Sequence, residues 1–397
     1  MRGSVWSCHR AGMGSMRRIR RIVAGGVAAM FALTACDSGR NTDVQPLSDS
    51  DRAAVRQALD AAVATGLPGV QVVVTEGGRD WTASAGVGNI DSAAPFPNHA
   101  VVRAGSNTKA FVAAAMMQLV AEGRVDLDAP VERYLPGTVR GERIEGSRIT
   151  VRNLMQHTSG VPEYLELPEL DVDYDVMLTQ HHDAADLVQR ALSTMPAHFP
   201  PGEKAEYSNT NYLLVGMVLE KVTGHPVGEE VTRRIIEPLD LRHTYFPAAG
   251  DLGLRDPHPQ SYEDDNGARV DVTRLDTTWA GAAGALVSTG EELNRFFTAL
   301  LAGKLVAPTQ LAQMQRDIAP LTNRPAGIDY GLGLARLAVP CDTQVWGHGG
   351  SIPGFRTYAG VTAVGRAVTV VANQRPTDPA SATALQHVFD AAVCART

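Results

Sequence analysis

Lysine is nearly absent, with four residues in a chain of 397, and cysteine is as scarce, also with four. Arginine supplies the remaining cations, yet Lys and Arg together number 36 against 43 acidic residues. A chain of net charge −7 with so few lysines is poorly suited to holding nucleic acid. No apolar run beyond the first 35 residues approaches the roughly 20 needed for a membrane span. Gly-x-Ser-x-Gly, His-Glu-x-x-His, Gly-x-x-x-x-Gly-Lys and Cys-x-x-Cys are all missing. Their absence excludes the common elbow hydrolases, zincins, P-loop enzymes and thiol redox motifs. The "QHHD" of Gln180 to Asp183 sits in an acidic stretch without a third ligand at useful spacing, so it reads as a solvated face. No metal and no cofactor is expected.

The N-terminus reads as an export signal. Arg17, Arg18, Arg20 and Arg21 precede an apolar run from Ile22 to Ala35, and Met16 is a better start than Met1, leaving 1–15 as a mis-called extension. "LTAC", Leu33 to Cys36, resembles a bacterial lipobox, which implies lipidation of Cys36 and a chain held at the extracytoplasmic face of the membrane; the alternative is an ordinary secreted protein. Residues 36–50 then form a polar tether. Residues 1–35 hold six arginines and no acid, so their removal takes the net charge from −7 to −13. With Cys8 and Cys36 set aside, Cys341 and Cys394 remain, either bridged in an oxidising compartment or buried as two thiols.

From residue 51 to 397 the pattern is that of one α/β (α+β) domain. A helix over "DSDRAAVRQALDAAVATG" leads into two strands, "VQVVVTEG" and "WTASAGVGN". A helix from about Asn107 to Glu122 stops at Gly123. Residues 127–277 read as helices and long loops. After the helix in "STGEELNRFFTALLAG", alternating strands return in "YGLGLARLA", "TQVWGHGG", "FRTYAGVTA" and "AVTVVANQ", and a helix ends the chain. This order predicts an antiparallel sheet flanked by helices, built from 51–126 and 278–397. A mainly helical lobe, 127–277, is inserted between, with a cleft at the junction.

Three short patterns fall around that cleft. Ser-x-x-Lys is Ser106 to Lys109, Tyr-x-Asn is Tyr207 to Asn209, and His-x-Gly is His348 to Gly350. Each alone arises by chance about once in such a chain. Singly, Ser106 reads as a helix cap, Tyr207 as a core hydroxyl and His348 as a strand residue. Serine needs an adjacent base, and a lysine one turn on, its pKa lowered by burial, can serve. Tyr207, its phenolate favoured beside a lysine, is the second candidate base. Ser106 at a helix start would aim its own N–H at a developing oxyanion.

In this order the patterns resemble the penicillin-recognising serine hydrolases, in the branch of class C β-lactamases, D-alanyl-D-alanine carboxypeptidases and related esterases. "LMQHTSGVPEY", "PGEKAEYSNTNYLLVGMVLEKVTG", "YGLGLAR" and "GHGGSIPGF" carry the same likeness, from about Ala54 to Cys394. The resemblance implies an acyl-enzyme on Ser106, with Lys109, Tyr207 and His348 as its catalytic partners and His348 orienting or relaying protons. It implies substrate contacts from Asn209, Trp279, Gly350 and Ser351, the Ser351 N–H being the second oxyanion donor, and a Cys341–Cys394 bridge. A monomer acting on a small-molecule or peptide substrate is expected. The first expectation for activity is a D-alanyl-D-alanine carboxypeptidase on cell-wall D-peptides. The alternatives are a β-lactamase, an esterase or D-amino-acid amidase of the same fold, and a non-catalytic penicillin-binding sensor. Family carboxypeptidases grip the terminal carboxylate with two threonines and a strand arginine. Here Gly349, Ser351 and Ala335 stand in those places, and Arg336 points to the opposite face of its strand.

Overall fold

The computed structural model describes residues 46–170, 176, 178–325 and 327–395, all within one compact unit. The expected signal peptide, Cys36 and the first ten tether residues lie outside the described residues. The tether is shorter than the sequence suggested. Leu47 is buried and donates its N–H to Glu76 Oε2 at 2.8 Å, and Ser48 caps helix α1, Asp49–Ala64. An apolar side chain two positions before a helix is drawn into the core with it.

Eight strands make one sheet. In chain order they are β1 (Gly69–Glu76), β2 (Arg79–Gly86), β3 (Ala319–Pro320), β4 (Ile328–Tyr330), β5 (Ala335–Leu337), β6 (Val345–Ile352), β7 (Phe355–Thr362) and β8 (Ala367–Ala372). Their spatial order is β2-β1-β8-β7-β6-β5-β4-β3, every pairing antiparallel. The two ends of the chain therefore meet at β1–β8, where Val70 faces Ala372. "YGLGLARLA" is not the single strand its alternation predicted. It turns at Gly331–Leu334, and Tyr330 pairs with Ala335 across a tight hairpin. Gly333 takes the positive φ of 72° that the reversal needs.

Helix α2, Thr108–Ala121, carries Lys109 and follows directly on the turn that holds Ser106. Eleven of its fourteen residues are buried, so it is apolar on every side, as a helix enclosed by protein must be. Phe111 stacks on Phe296 of the helix Gly290–Leu301, which covers one face of the sheet. On the other face α1 packs with the terminal helix, Pro379–Val393, over Val70, Val72, Val368 and Val370. Cys341 and Cys394 are bridged, their Cα atoms 5.7 Å apart, which ties that helix to the loop after β5.

Within 127–277 the described helices include Ala184–Thr194 and Asn209–Thr223, the latter closed by Gly224 in the left-handed conformation. The segment is not wholly helical. A hairpin, Tyr262–Asp265 with Ala268–Asp271, docks on the sheet side, where the Tyr262 N–H donates to Asn373 O at 2.9 Å. Its "YEDDNGARVD" holds an Asn-Gly turn between short strands, a hairpin signal within the stretch read as helices and loops.

Candidate functional site

Ser106 lies in a single tight turn, Gly105–Asn107, that feeds directly into α2. Gly105 has φ 53°, and a Cβ there would come within 2.9 Å of the Ser351 nitrogen. The turn and strand β6 thus approach closely, which brings Ser106 and Ser351 to the wall of one cleft. Asn107 braces this contact by donating to Ala104 O at 2.8 Å and to Thr357 Oγ1 at 2.7 Å.

Lys109 is completely buried. Its Nζ lies 3.1 Å from Ser106 Oγ, 2.7 Å from Asn209 Oδ1 and 2.7 Å from Ala283 O. Asn209 has no choice of orientation, because its Nδ2 donates to the Glu163 carboxylate at 2.9 Å. Both oxygens at 2.7 Å can only accept. A neutral Lys109 spends its two hydrogens on them and turns its lone pair toward Ser106. Burial holds the Lys109 pKa well below the ordinary lysine range; Glu163 opposes this and Arg324 adds to it.

Tyr207 is buried beside this pair, its ring 4.8 Å from Lys109 Nζ. Burial pushes its hydroxyl pKa up, and interaction with Ser106 recovers only part of the rise. Contrary to the sequence-based expectation, its phenolate is disfavoured here: desolvation outweighs what neighbouring groups return.

His348 is buried at a ring-centroid distance of 6.4 Å from Tyr207. Its Nδ1 lies 2.6 Å from Gly349 O and its Nε2 2.8 Å from the Tyr330 hydroxyl. A carbonyl only accepts, so Nδ1 carries the hydrogen and Nε2 receives the Tyr330 O–H. Burial lowers its pKa to about 3, which keeps the imidazole neutral. Both nitrogens are engaged, an arrangement that orients rather than relays.

The cleft is a cavity of about 970 Å³ whose walls include Ser106, Tyr207, Asn209, Trp279, His348 and Ser351. Trp279 is thus a wall residue as well as a buried one. Gly350 stands behind the wall, where a Cβ would lie 2.1 Å from Ala104 O. Ala335 lines the cleft while Arg336 turns away to Asp329 at 2.6 Å, as strand alternation implied. Among the described residues no set of three or more His, Cys, Asp or Glu is placed to hold a metal.

Several residues of the site had no role assigned from sequence. His157 is wholly buried, its ring 4.2 Å from Tyr207 and 4.7 Å from Tyr330, and its Nδ1 accepts the Ser208 N–H at 3.3 Å. Its pKa is held well below the usual range by burial first and by Lys109 next. Asn323 exchanges two hydrogen bonds with the Tyr207 backbone, at 2.8 and 2.9 Å. His157 and Tyr330 lie inside stretches with family likeness, which was their only signal. "LTNRP", around Asn323, reads as a plain turn.

The family model for Beta-lactamase matches residues 53–393. The chain is 29% identical over 184 residues to Protein flp of Staphylococcus aureus (strain MW2), across 45% of this chain and 35% of that one. It is 29% identical over 220 residues to N-acetylmuramyl-L-alanine amidase of Bacillus subtilis (strain 168), across 52% and 48%. The matches thus span between a third and a half of these curated relatives. Among solved structures, the D-stereospecific amidohydrolase from Streptomyces sp. is 37% identical, with a TM-score of 0.79 over 87% of this chain and 99% of that one. The D-amino acid amidase from Ochrobactrum anthropi SV3, complexed with L-phenylalanine amide, is 25% identical, with a TM-score of 0.74 over 86% and 98%.

Proposed function

The chain belongs to the β-lactamase family of serine hydrolases, and on that premise we propose that it cleaves amide bonds next to D-configured residues through an acyl-enzyme on Ser106. The observation that carries this reading is the coordination of Lys109. Its two hydrogens are held by obligate acceptors, so its lone pair can receive the Ser106 proton as Oγ attacks the carbonyl. Tyr207, kept protonated by burial, gives its proton to the leaving amine, and Lys109 restores it. The serine's proton ends on the amine. Water then hydrolyses the acyl ester and returns a proton to Ser106.

The D-stereospecific amidohydrolase, alike over nearly its whole length, supports an amidase more than the terminal carboxypeptidase first expected. So does Ala335, which packs with Tyr207, Leu321 and Tyr330 in an apolar patch where a family carboxypeptidase carries an arginine. The arginine run and Cys36 support a lipid-anchored, exported enzyme, with secretion as the alternative; globomycin-sensitive processing of the precursor tests that placement. Activity is tested by comparing the protein with Ser106→Ala on D- and L-amino-acid amides, D-alanyl-D-alanine and nitrocefin. The expected result is Ser106-dependent release of ammonia from the D-amides. Turnover surviving in Ser106→Ala, or preference for the L-amides, overturns the reading.

A further inference from the structure

The cleft does not end at the reacting centre. The walls of its cavity of about 970 Å³ also include Leu337, Val339, Tyr358 and Asp390, the last on the terminal helix Pro379–Val393. That volume stands near the top of the range for small-molecule sites and is more than one amino-acid amide fills.

The extension lies on the side of the leaving amine. Tyr207, which gives that amine its proton, shares an apolar patch with Ala335, and Leu337 packs against it. Leu337 also packs against the apolar layer under the terminal helix, as Val339 and Tyr358 do. Ala335 and Leu337 stand two apart on β5 and share a face, so the apolar floor is continuous. Gly349 is the cross-strand partner of Tyr358, and having no side chain it leaves that floor open. The far wall is fastened: the bridge from Cys341 to Cys394 ties the segment after β5 to the end of the helix that carries Asp390.

Asp390 puts a charge at the far end. It is partly buried, and burial raises its pKa against the opposing effects of Gln386 and the exposed His387. Gln386 Nε2 donates to its Oδ1 at 2.9 Å, and among the described residues no arginine or lysine pairs with it. Arg356 is occupied elsewhere, its guanidinium stacked 4.5 Å from the Tyr358 ring. A carboxylate drawn partly out of water is stabilised by a cation that donates to it.

We infer that this extension is a subsite for the leaving group, which takes amines carrying an apolar arm that ends in an ammonium. Leu337 and Tyr358 form the bed of the arm, and Asp390 is the counter-charge at its end. The inference rests on the amide hydrolase reading above and names the class of its leaving group.

The test uses the purified protein, Asp390→Asn and Leu337→Gln. Four substrates with one D-alanyl acyl group are compared: D-alaninamide, the hexylamide, the 6-aminohexylamide and the p-nitrophenyl ester. In the wild-type protein kcat/KM is expected to rise from D-alaninamide to the hexylamide, as the arm buries apolar surface. It should rise again to the 6-aminohexylamide by at least about tenfold, the scale of a charge-assisted hydrogen bond. Asp390→Asn keeps the acceptor for Gln386; it should bring the second ratio toward one and leave D-alaninamide turnover unchanged. Leu337→Gln should shrink the first ratio, and high salt the second. A wild-type ratio near or below one at either step, or an ammonium preference unchanged in Asp390→Asn, overturns the inference while ester turnover upholds the Ser106 chemistry. Absence of ester turnover in the wild-type protein overturns the hydrolase reading itself, and this inference with it.

Discussion

The Lys109 amine, completely buried, sits 3.1 Å from the Ser106 hydroxyl and 2.7 Å from two obligate acceptors, Asn209 Oδ1 and Ala283 O. Its pKa is depressed by that burial, so the base form is present well below the ordinary lysine titration. Acylation is expected to rise with pH through the depressed Lys109 pKa and then level off. Lys109→Met should lower the acylation rate by at least about 10²-fold, within the range for losing a general base. Stability follows the same group with a worked sign. The unfolded chain binds a proton that the folded site resists, so stability increases as pH rises from the depressed value toward 10.5. Chemical denaturation of Lys109→Met should lack that rise.

Two buried neutral histidines predict the acid behaviour. His348 titrates near 3 and His157 well below its usual range, whereas both charge readily in the unfolded chain. Folded pKa values below the unfolded ones mean that stability is lost as pH falls below about 6.5, continuing toward about 3 for His348. His348→Gln should flatten part of this slope in thermal melts recorded from pH 7 to 4. A slope identical to that of the wild-type protein would count against a neutral buried His348.

Asn323 holds Tyr207 by its backbone, donating to the carbonyl and accepting from the N–H. Asn323→Ala strips both partners from a buried residue, at a cost of about 1–3 kcal/mol in stability. Turnover should fall further than that loss accounts for, because the Tyr207 hydroxyl shifts relative to Ser106. The check is kcat measured well below the melting temperature, with Asn323→Asp keeping the bond from the Tyr207 N–H.

Neighbouring glycines on β6 should respond in opposite ways. At Gly350 a methyl would lie 2.1 Å from Ala104 O and 2.3 Å from Thr357 Oγ1, so strand and nucleophile turn must separate. Gly350→Ala is expected to cost about 1–3 kcal/mol and roughly 10²-fold in activity. At Gly349 the nearest atom is Thr357 O at 3.4 Å, an ordinary contact, and Gly349→Ala should fold with wild-type stability. Equal melting temperatures for the two variants would contradict the packing described.

Much of the scaffold was legible because its signals are local. Thr289, whose side chain accepts the Glu292 N–H and caps the helix Gly290–Leu301, the glycines that end α1, α2 and the Asn209–Thr223 helix, and the alternation in β6, β7 and β8 depend on residues within a few positions of one another. Ser106 and Lys109 share a helical face for the same reason. The hairpin hidden in "YGLGLARLA" and the tether that ends early were misread because their outcome depends on distant partners: Tyr330 reaches His348, and Leu47 reaches Glu76.

The sequence by itself determined which groups this protein owns: a serine and lysine one turn apart, a Tyr-x-Asn, a His-x-Gly, and two cysteines available to pair. Only the tertiary structure decided their protonation and their company. Burial sets Lys109 low, Tyr207 high and His348 neutral, and desolvation is a property of everything packed around a group rather than of its neighbours in the chain. The same holds for Asn209, whose orientation comes from Glu163, and for Leu337 and Asp390, which meet one cavity from segments that no spacing rule connects.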